Sequence, residues 1–183
     1  DRARPVLINN WEVTEWNFTQ EQILQIASVA AEAGIELFVL DDGWSQNRCS
    51  DRAGLGDWYP CEKKLPEGIR GLSEKIRQTG LSFGLWFEPE MVSPKSDLYE
   101  KHPDWAIHID GRVPVEQRNQ LTLDLSREDV QDYVYECVAS HLREDGIDYV
   151  KWDMNRHSIA LGEKAHDFIL GLYEVLDRIF TPR

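Results

Sequence analysis

The sequence predicts an α/β chain of alternating strands and helices, in which residues 1–183 supply the first five βα units of a (βα)8 TIM barrel. Three observations carry this reading. Short apolar runs alternate with longer amphipathic stretches from one end of the chain to the other. The runs are nearly continuous, as in Ile35 to Leu40, which suits strands covered on both faces. Polar and aromatic residues collect directly after the runs, at the end of a barrel where active sites lie. No glycine-rich phosphate loop follows any strand. Asn9-Asn10-Trp11-Glu12 and Asp41-Asp42-Gly43-Trp44 stand there instead, which argues against an open nucleotide-binding sheet. A full barrel takes about 250 residues, so the same reading places about three further units beyond Arg183.

The elements follow in order. Val6 to Asn10 reads as the first strand. Thr19 caps a helix, with Gln22 as the capping-box partner, and Gly34 stops it after about Ala33. Ile35 to Leu40 is the second strand, and a loop rich in Gly, Asp and Ser runs from Asp41 to about Glu67. Residues 68–79 form a helix that ends at Gly80, and Leu81 to Phe87 is the third strand. A Pro-containing segment, Glu88 to Gln120, holds a short helix near Asp97–Lys101. Leu121 to Leu125 is the fourth strand. Ser126 then caps a helix, with Asp129 in its first turn, that reaches about Asp145 before Gly146. Ile147 to Trp152 is the fifth strand, and residues 163–180 form the last helix.

Composition narrows the function classes. Hydrophobic residues at 42% and charged residues at 29% are those of a globular chain rather than a disordered one. The net charge of -13 repels phosphate backbones and anionic lipid, so neither nucleic acid nor membrane is the expected partner. A neutral sugar is compatible with it. No apolar run reaches the length of a membrane span. Cys49, Cys61 and Cys137 form neither a CxxC pair nor a zinc pattern, which fits a reducing, cytoplasmic compartment. The five histidines, among them His141 and His157, lack the spacing of a metal site, and no serine sits in a nucleophile elbow. A zinc site is therefore not expected.

The chemistry concentrates at strand ends. Lys151 and Asp153 alternate onto one face of the fifth strand, so an ammonium and a carboxylate share an environment. That pattern alone fits a nucleophile kept ionised by its neighbour, or a structural ion pair. Asp41 and Asp42 are adjacent acids after a buried run. They suit vicinal sugar hydroxyls, a cation, or an Asx turn before Gly43. Trp11, Trp16, Trp44, Trp58, Trp86 and Trp152 recur at the same end; one tryptophan there is ordinary core, but the recurrence suits the apolar face of a sugar. Glu88 and Glu90 add two carboxylates. Arg118 offers a fork of donors to a carboxylate or to hydroxyls.

At these residues the sequence resembles glycoside hydrolase family 36, the microbial α-galactosidases. The segments that carry the resemblance run in family order. They are Asn9-Asn10-Trp11-Glu12, Phe38-Val39-Leu40-Asp41-Asp42-Gly43-Trp44, Leu55-Gly56-Asp57-Trp58, Gly84-Leu85-Trp86-Phe87-Glu88-Pro89-Glu90-Met91-Val92, His102-Pro103-Asp104-Trp105, Arg118-Asn119-Gln120-Leu121 and Lys151-Trp152-Asp153-Met154-Asn155-Arg156. The resemblance implies that Asp153 is the nucleophile and that Asp41 and Asp42 take the galactose 4- and 6-hydroxyls. It makes Lys151 and Arg118 further sugar-binding residues, Trp11 and Trp86 aromatic walls, and Asn155 a neighbour of the nucleophile. It puts the acid/base carboxylate beyond residue 183, with flanking β-domains also outside this chain, and implies a homo-oligomer, often a tetramer. Ser45 and Gln117 depart from the family pattern, which has an aromatic and a glycine there.

The implied reaction is hydrolysis of terminal α-galactosides of the raffinose and melibiose type, by double displacement with retention. That mechanism needs neither a metal nor an organic cofactor. Transglycosylation and an α-N-acetylgalactosaminide substrate use the same nucleophile and remain open. A metal-assisted barrel enzyme, with Asp42, Glu90 and Asp153 as ligands and Lys151 as base, is a rival of a different class. A chain that binds or assembles without catalysing is another. A barrel cut after its fifth unit also leaves open sheet edges, so residues 1–183 alone are expected to self-associate and to lack activity.

Overall fold

A computed structural model describes residues 3–109, 111–156 and 162–181. Four short strands form a parallel sheet in the order β1-β2-β3-β6: β1 is Leu7–Asn9, β2 Leu37–Leu40, β3 Ser82–Phe87 and β6 Tyr149–Trp152. Its register is set by Asn9↔Val39, Leu40↔Leu85 and Phe87↔Trp152. Between the strands lie α1 (Trp11–Thr14), α2 (Gln20–Glu32), α3 (Gly68–Gln78), α4 (Asp97–Lys101) and α5 (Glu128–Glu144), and α6 (Ala165–Phe180) follows the last. This is the α/β architecture with parallel pairing that the sequence predicts. No helix among the described residues is long and apolar enough to cross a membrane.

The local reasons are the expected ones. Thr19 Oγ1 accepts the Gln22 N–H while Gln22 Oε1 accepts the Thr19 N–H, a complete capping box at the start of α2. Gly34 takes φ +83° just past its end, the left-handed stop that a side chain disfavours. The central strands explain the continuous apolar runs. Every residue of β2 is buried, and so is every residue of β3 after Ser82.

The fourth strand corrects the sequence reading. Leu121–Thr122 (β5) does not enter the parallel sheet; it pairs antiparallel with Met91–Val92 (β4), through Met91↔Thr122 and Val92↔Leu121. The strand next to β3 is β6, so four parallel strands stand where five were expected. Met91–Val92 takes up the edge of Leu121–Thr122, and Gly84 lets β6 approach β3 closely. A Cβ at this position would sit 3.0 Å from Tyr149 Cβ and 3.0 Å from Tyr149 O, so the missing side chain is what admits β6. Asp124, expected within a strand, instead sits in the turn before α5 and accepts the Ser126 N–H and hydroxyl. That turn delays the start of α5 to Glu128, two residues beyond the expected cap.

The chain divides into two compact units. The first is Asp1–Ser50, Tyr59–Phe87 and Ser140–Asp153, and contains the parallel sheet with α2 and α3. The second is Asp51–Trp58, Glu88–Ala139 and Met154–Arg183, and contains β4, β5, α4 and α6. In the second, α6 packs through Gly171 onto the Leu125 carbonyl, and Val130, Val134 and Val138 line the buried stripe of α5.

Candidate active site

In the first unit, the carboxyl ends of β2, β3 and β6 gather three carboxylates. Asp153 follows β6, and its N–H donates to Phe87 O at 2.8 Å, continuing the ladder by one residue. Its Oδ2 accepts the indole N–H of Trp86 at 2.9 Å. Alternation puts Lys151 on the same face. Its Nζ donates to Asp41 Oδ2 at 2.7 Å and stands 4.0 Å from Asp153 Oδ2. The register accounts for this. Leu40 pairs with Leu85 and Trp86 with Lys151, so Asp41, Trp86 and Lys151 continue one row across the sheet. The long lysine stem spans that row, and one ammonium serves two carboxylates.

Asp41 is held on its other side. Its N–H donates to Asn10 Oδ1 at 2.8 Å, its Oδ1 accepts the Asp42 N–H at 2.9 Å, and Asn10 is itself fixed by Thr14 Oγ1 at 2.8 Å. Asp42 turns to a different pair of donors. Arg48 grips it bidentately, Nε to Oδ1 at 2.9 Å and Nη2 to Oδ2 at 2.8 Å, and Trp16 Nε1 adds a bond to Oδ2 at 2.8 Å. Between them Gly43 takes φ +104°, and a Cβ there would lie 3.0 Å from Trp16 Cα, so both the backbone angle and the close approach of Trp16 require glycine. Neither carboxylate is merely an Asx turn, the bland reading of Asp before Gly. Trp11 meets Trp16 edge-on, with ring centroids 4.9 Å apart, and both rings are partly exposed.

The other tryptophans divide by what they touch. Trp86 is only 2% exposed, so it presents an N–H to Asp153 rather than a broad ring face. Trp44 is fully buried. It donates to Trp86 O at 2.8 Å and packs edge-on against Phe87 and His141, which makes it the core beneath the site. His141 is buried there beside Asp145. None of the three cysteines forms a disulfide; Cys49 is exposed and Cys61 buried.

Arg118 and Asn155 belong to the second unit. Arg118 (φ 49°) and Asn119 (φ 62°) are the two left-handed residues of a tight turn closed by reciprocal hydrogen bonds between Gln117 and Gln120, at 3.0 Å each. The Arg156 guanidinium donates to Gln117 O, which joins the Arg118 turn to the segment carrying Asn155. The Asn155 N–H donates to Glu88 Oε1 at 2.7 Å, so Glu88 anchors that segment too. Asp57, in the Gly-Asp-Trp motif, is a helix cap that accepts the Asp97 and Leu98 N–H groups at 3.0 Å each. Burial raises its pKa against the pull of those bonds. Among the described residues no group of three or more His, Cys, Asp or Glu is placed to hold a metal ion. His157 lies outside the described residues.

A family model described as melibiase matches residues 1–182. The chain belongs to the melibiase family. Among melibiase relatives, it is 54% identical to the α-galactosidase AgaA of Geobacillus stearothermophilus over 98% of this chain, and 42% identical to Mel36A of Lactobacillus acidophilus over 99%. It spans about a quarter of the length of those relatives, 26% in each. In solved structures, the crystal structure of GH36 α-galactosidase AgaA superposes with a TM-score of 0.95 at 53% identity, covering 98% of this chain and 26% of that one. A variant of AgaA in complex with raffinose gives 0.93 over 97% of this chain and 26% of that one.

Sequence reasoning did not find Arg48, Asn10, Trp16 as a donor, or Lys64, whose ammonium donates to the Trp16, Gly43 and Arg48 carbonyls. Arg48 left one signal. Asn47 takes φ 60°, which asparagine tolerates, so the residue type marks a turn before Arg48 but not the direction of the arginine side chain.

Proposed function

We propose that residues 1–183 are the first part of the catalytic (βα)8 barrel of a retaining α-galactosidase, with Asp153 as its nucleophile. The observation that carries this reading is Asp153 at the end of β6, oriented by the Trp86 indole N–H at 2.9 Å and facing Lys151 at 4.0 Å. Family membership and the raffinose-bound relative support an α-galactoside substrate.

In the first step the Asp153 carboxylate attacks the anomeric carbon. The bond from that carbon to the leaving oxygen breaks, and a glycosyl ester of Asp153 forms. A second carboxyl group, supplied from beyond residue 183, gives its proton to the leaving oxygen. It then takes a proton from the water that attacks the same anomeric carbon; the bond from that carbon to the Asp153 oxygen breaks, and Asp153 leaves as a carboxylate. Two inversions give net retention, which in such enzymes needs the carboxyl groups about 5–5.5 Å apart. Asp41 and Asp42 accept from the sugar's 4- and 6-hydroxyls, Lys151 supplies a further polar contact, and Trp11 forms part of the pocket wall, while Trp86 orients Asp153 from beneath.

The test is Asp153→Ala in the whole enzyme. Turnover of α-galactosides falls by several orders of magnitude, and azide restores part of it with release of galactosyl azide. Unchanged turnover, or loss that no small nucleophile repairs, removes Asp153 from this role.

A further inference from the structure

Lys64 lies outside every motif that carries the family resemblance, yet its ammonium occupies a defined cage. Nζ donates to Trp16 O at 2.8 Å, Gly43 O at 2.6 Å and Arg48 O at 3.1 Å. A lysine ammonium has three protons, and all three have acceptors. The Phe18 ring, with its centroid 5.1 Å from Nζ, adds a cation–π contact. The backbone of Lys64 is fixed too: its N–H donates to Cys61 O at 3.0 Å and its carbonyl accepts the Gln20 N–H at 2.9 Å, which ties it to the start of α2.

The three carbonyls are not an arbitrary set. Trp16 and Arg48 are the two residues whose side chains grip Asp42, and Gly43 is the residue after it. They come from separate stretches of chain, the segment after α1, the loop after β2, and the turn at Asn47. Without a cation, three carbonyl dipoles would point their negative ends at one spot. A lysine suits the place because it delivers a compact charge with three diverging donors, whereas a planar guanidinium cannot satisfy three oxygens that converge on one point.

We propose that Lys64 is the positioning residue for Asp42, a tethered cation that sets the aim of this carboxylate at the substrate by holding the backbone of both its donors. The inference rests on the reading that Asp42 binds the sugar. It adds a residue that touches neither substrate nor Asp42 and that acts on affinity rather than on chemistry.

The experiment is a mutant cycle in the whole enzyme with Lys64→Met, Asp42→Asn and the double variant, read as KM and kcat on an α-galactoside. Lys64→Met raises KM at least tenfold and changes kcat less than threefold. The double variant is within about threefold of Asp42→Asn alone, because residues that act through one another are non-additive. Lys64→Arg, which keeps the charge and some of the donors, recovers part of the KM. Losses that multiply in the double variant overturn the proposal, as does a Lys64→Met effect confined to kcat. If Lys64→Met yields no folded enzyme, the cycle is run with Lys64→Arg. If neither variant folds, Lys64 is a folding residue and the proposal falls. The galactosidase reading is decided separately, by Asp153→Ala and azide.

Discussion

Trp86 gives up nearly all of its ring to the core and keeps its one polar atom for Asp153. Phenylalanine fills most of the same volume but donates nothing. A hydrogen bond to a charged group contributes about 1.5–3 kcal/mol, so Trp86→Phe should lower kcat by roughly 10–100-fold while the melting temperature moves little. An equal kcat in the variant would show that the indole N–H does not orient the carboxylate. Asp124 tests a different balance. It is 3% exposed; burial raises its pKa, but Lys164 and Ser126 outweigh burial and leave the pKa below the ordinary carboxylate value. A depressed folded pKa means stability that is complete above the unfolded value of about 3.9 and is lost as pH falls through the folded value. Asp124→Asn should therefore cost about 1–3 kcal/mol at pH 7 and progressively less below about pH 4, read by denaturant melts at both pH values. A deficit that is constant with pH would mean that the charge of Asp124 contributes nothing.

Elements were legible where their signals are local. The Thr19 box, the glycine stops at Gly34 and Gly80, and the short helix Asp97–Lys101 all stand where the sequence puts them, because each rests on one or two residues and their own backbone. Partners were not legible. Leu121 to Leu125 has the composition of a buried strand, but composition does not say whether it lies beside β3 or beside Met91–Val92, and Gly84, where Tyr149 of β6 approaches β3 closely, is far off in sequence. Gly171 is a similar case within α6. A Cβ there would fall 1.8 Å from the Leu125 carbonyl oxygen, an approach that only glycine permits. Gly171→Ala should destabilise by about 1–3 kcal/mol, despite alanine's better helix propensity, because overpacking against backbone cannot be relieved by a rotamer. An unchanged or raised melting temperature would show that α6 shifts freely.

At the scale of the whole molecule, charge and the α/β class were readable because they are sums over many residues. So were the carboxylates Asp41, Asp42 and Asp153, since acids directly after apolar runs stand out. Arg48 and Lys64, which hold Asp42 in place, come from a loop without periodicity, where no repeat marks which cation turns inward. The sheet itself makes a prediction. Its inner strands β2 and β3 are buried, while β1 and β6 are half-exposed, so hydrogen exchange should be slowest at amides such as Val39 and Leu85 and faster at Leu7 and Tyr149. Uniform protection across the sheet would contradict this gradient. The division among tryptophans has an optical consequence. Of the 7 in the chain, Trp44, Trp58, Trp86 and Trp105 are shielded from water, while Trp11, Trp16 and Trp152 are partly open to it. Emission should therefore separate into a blue component that acrylamide does not reach and a red component that it quenches. A sugar seated against Trp11 would protect part of the red component, giving a binding signal that needs no turnover.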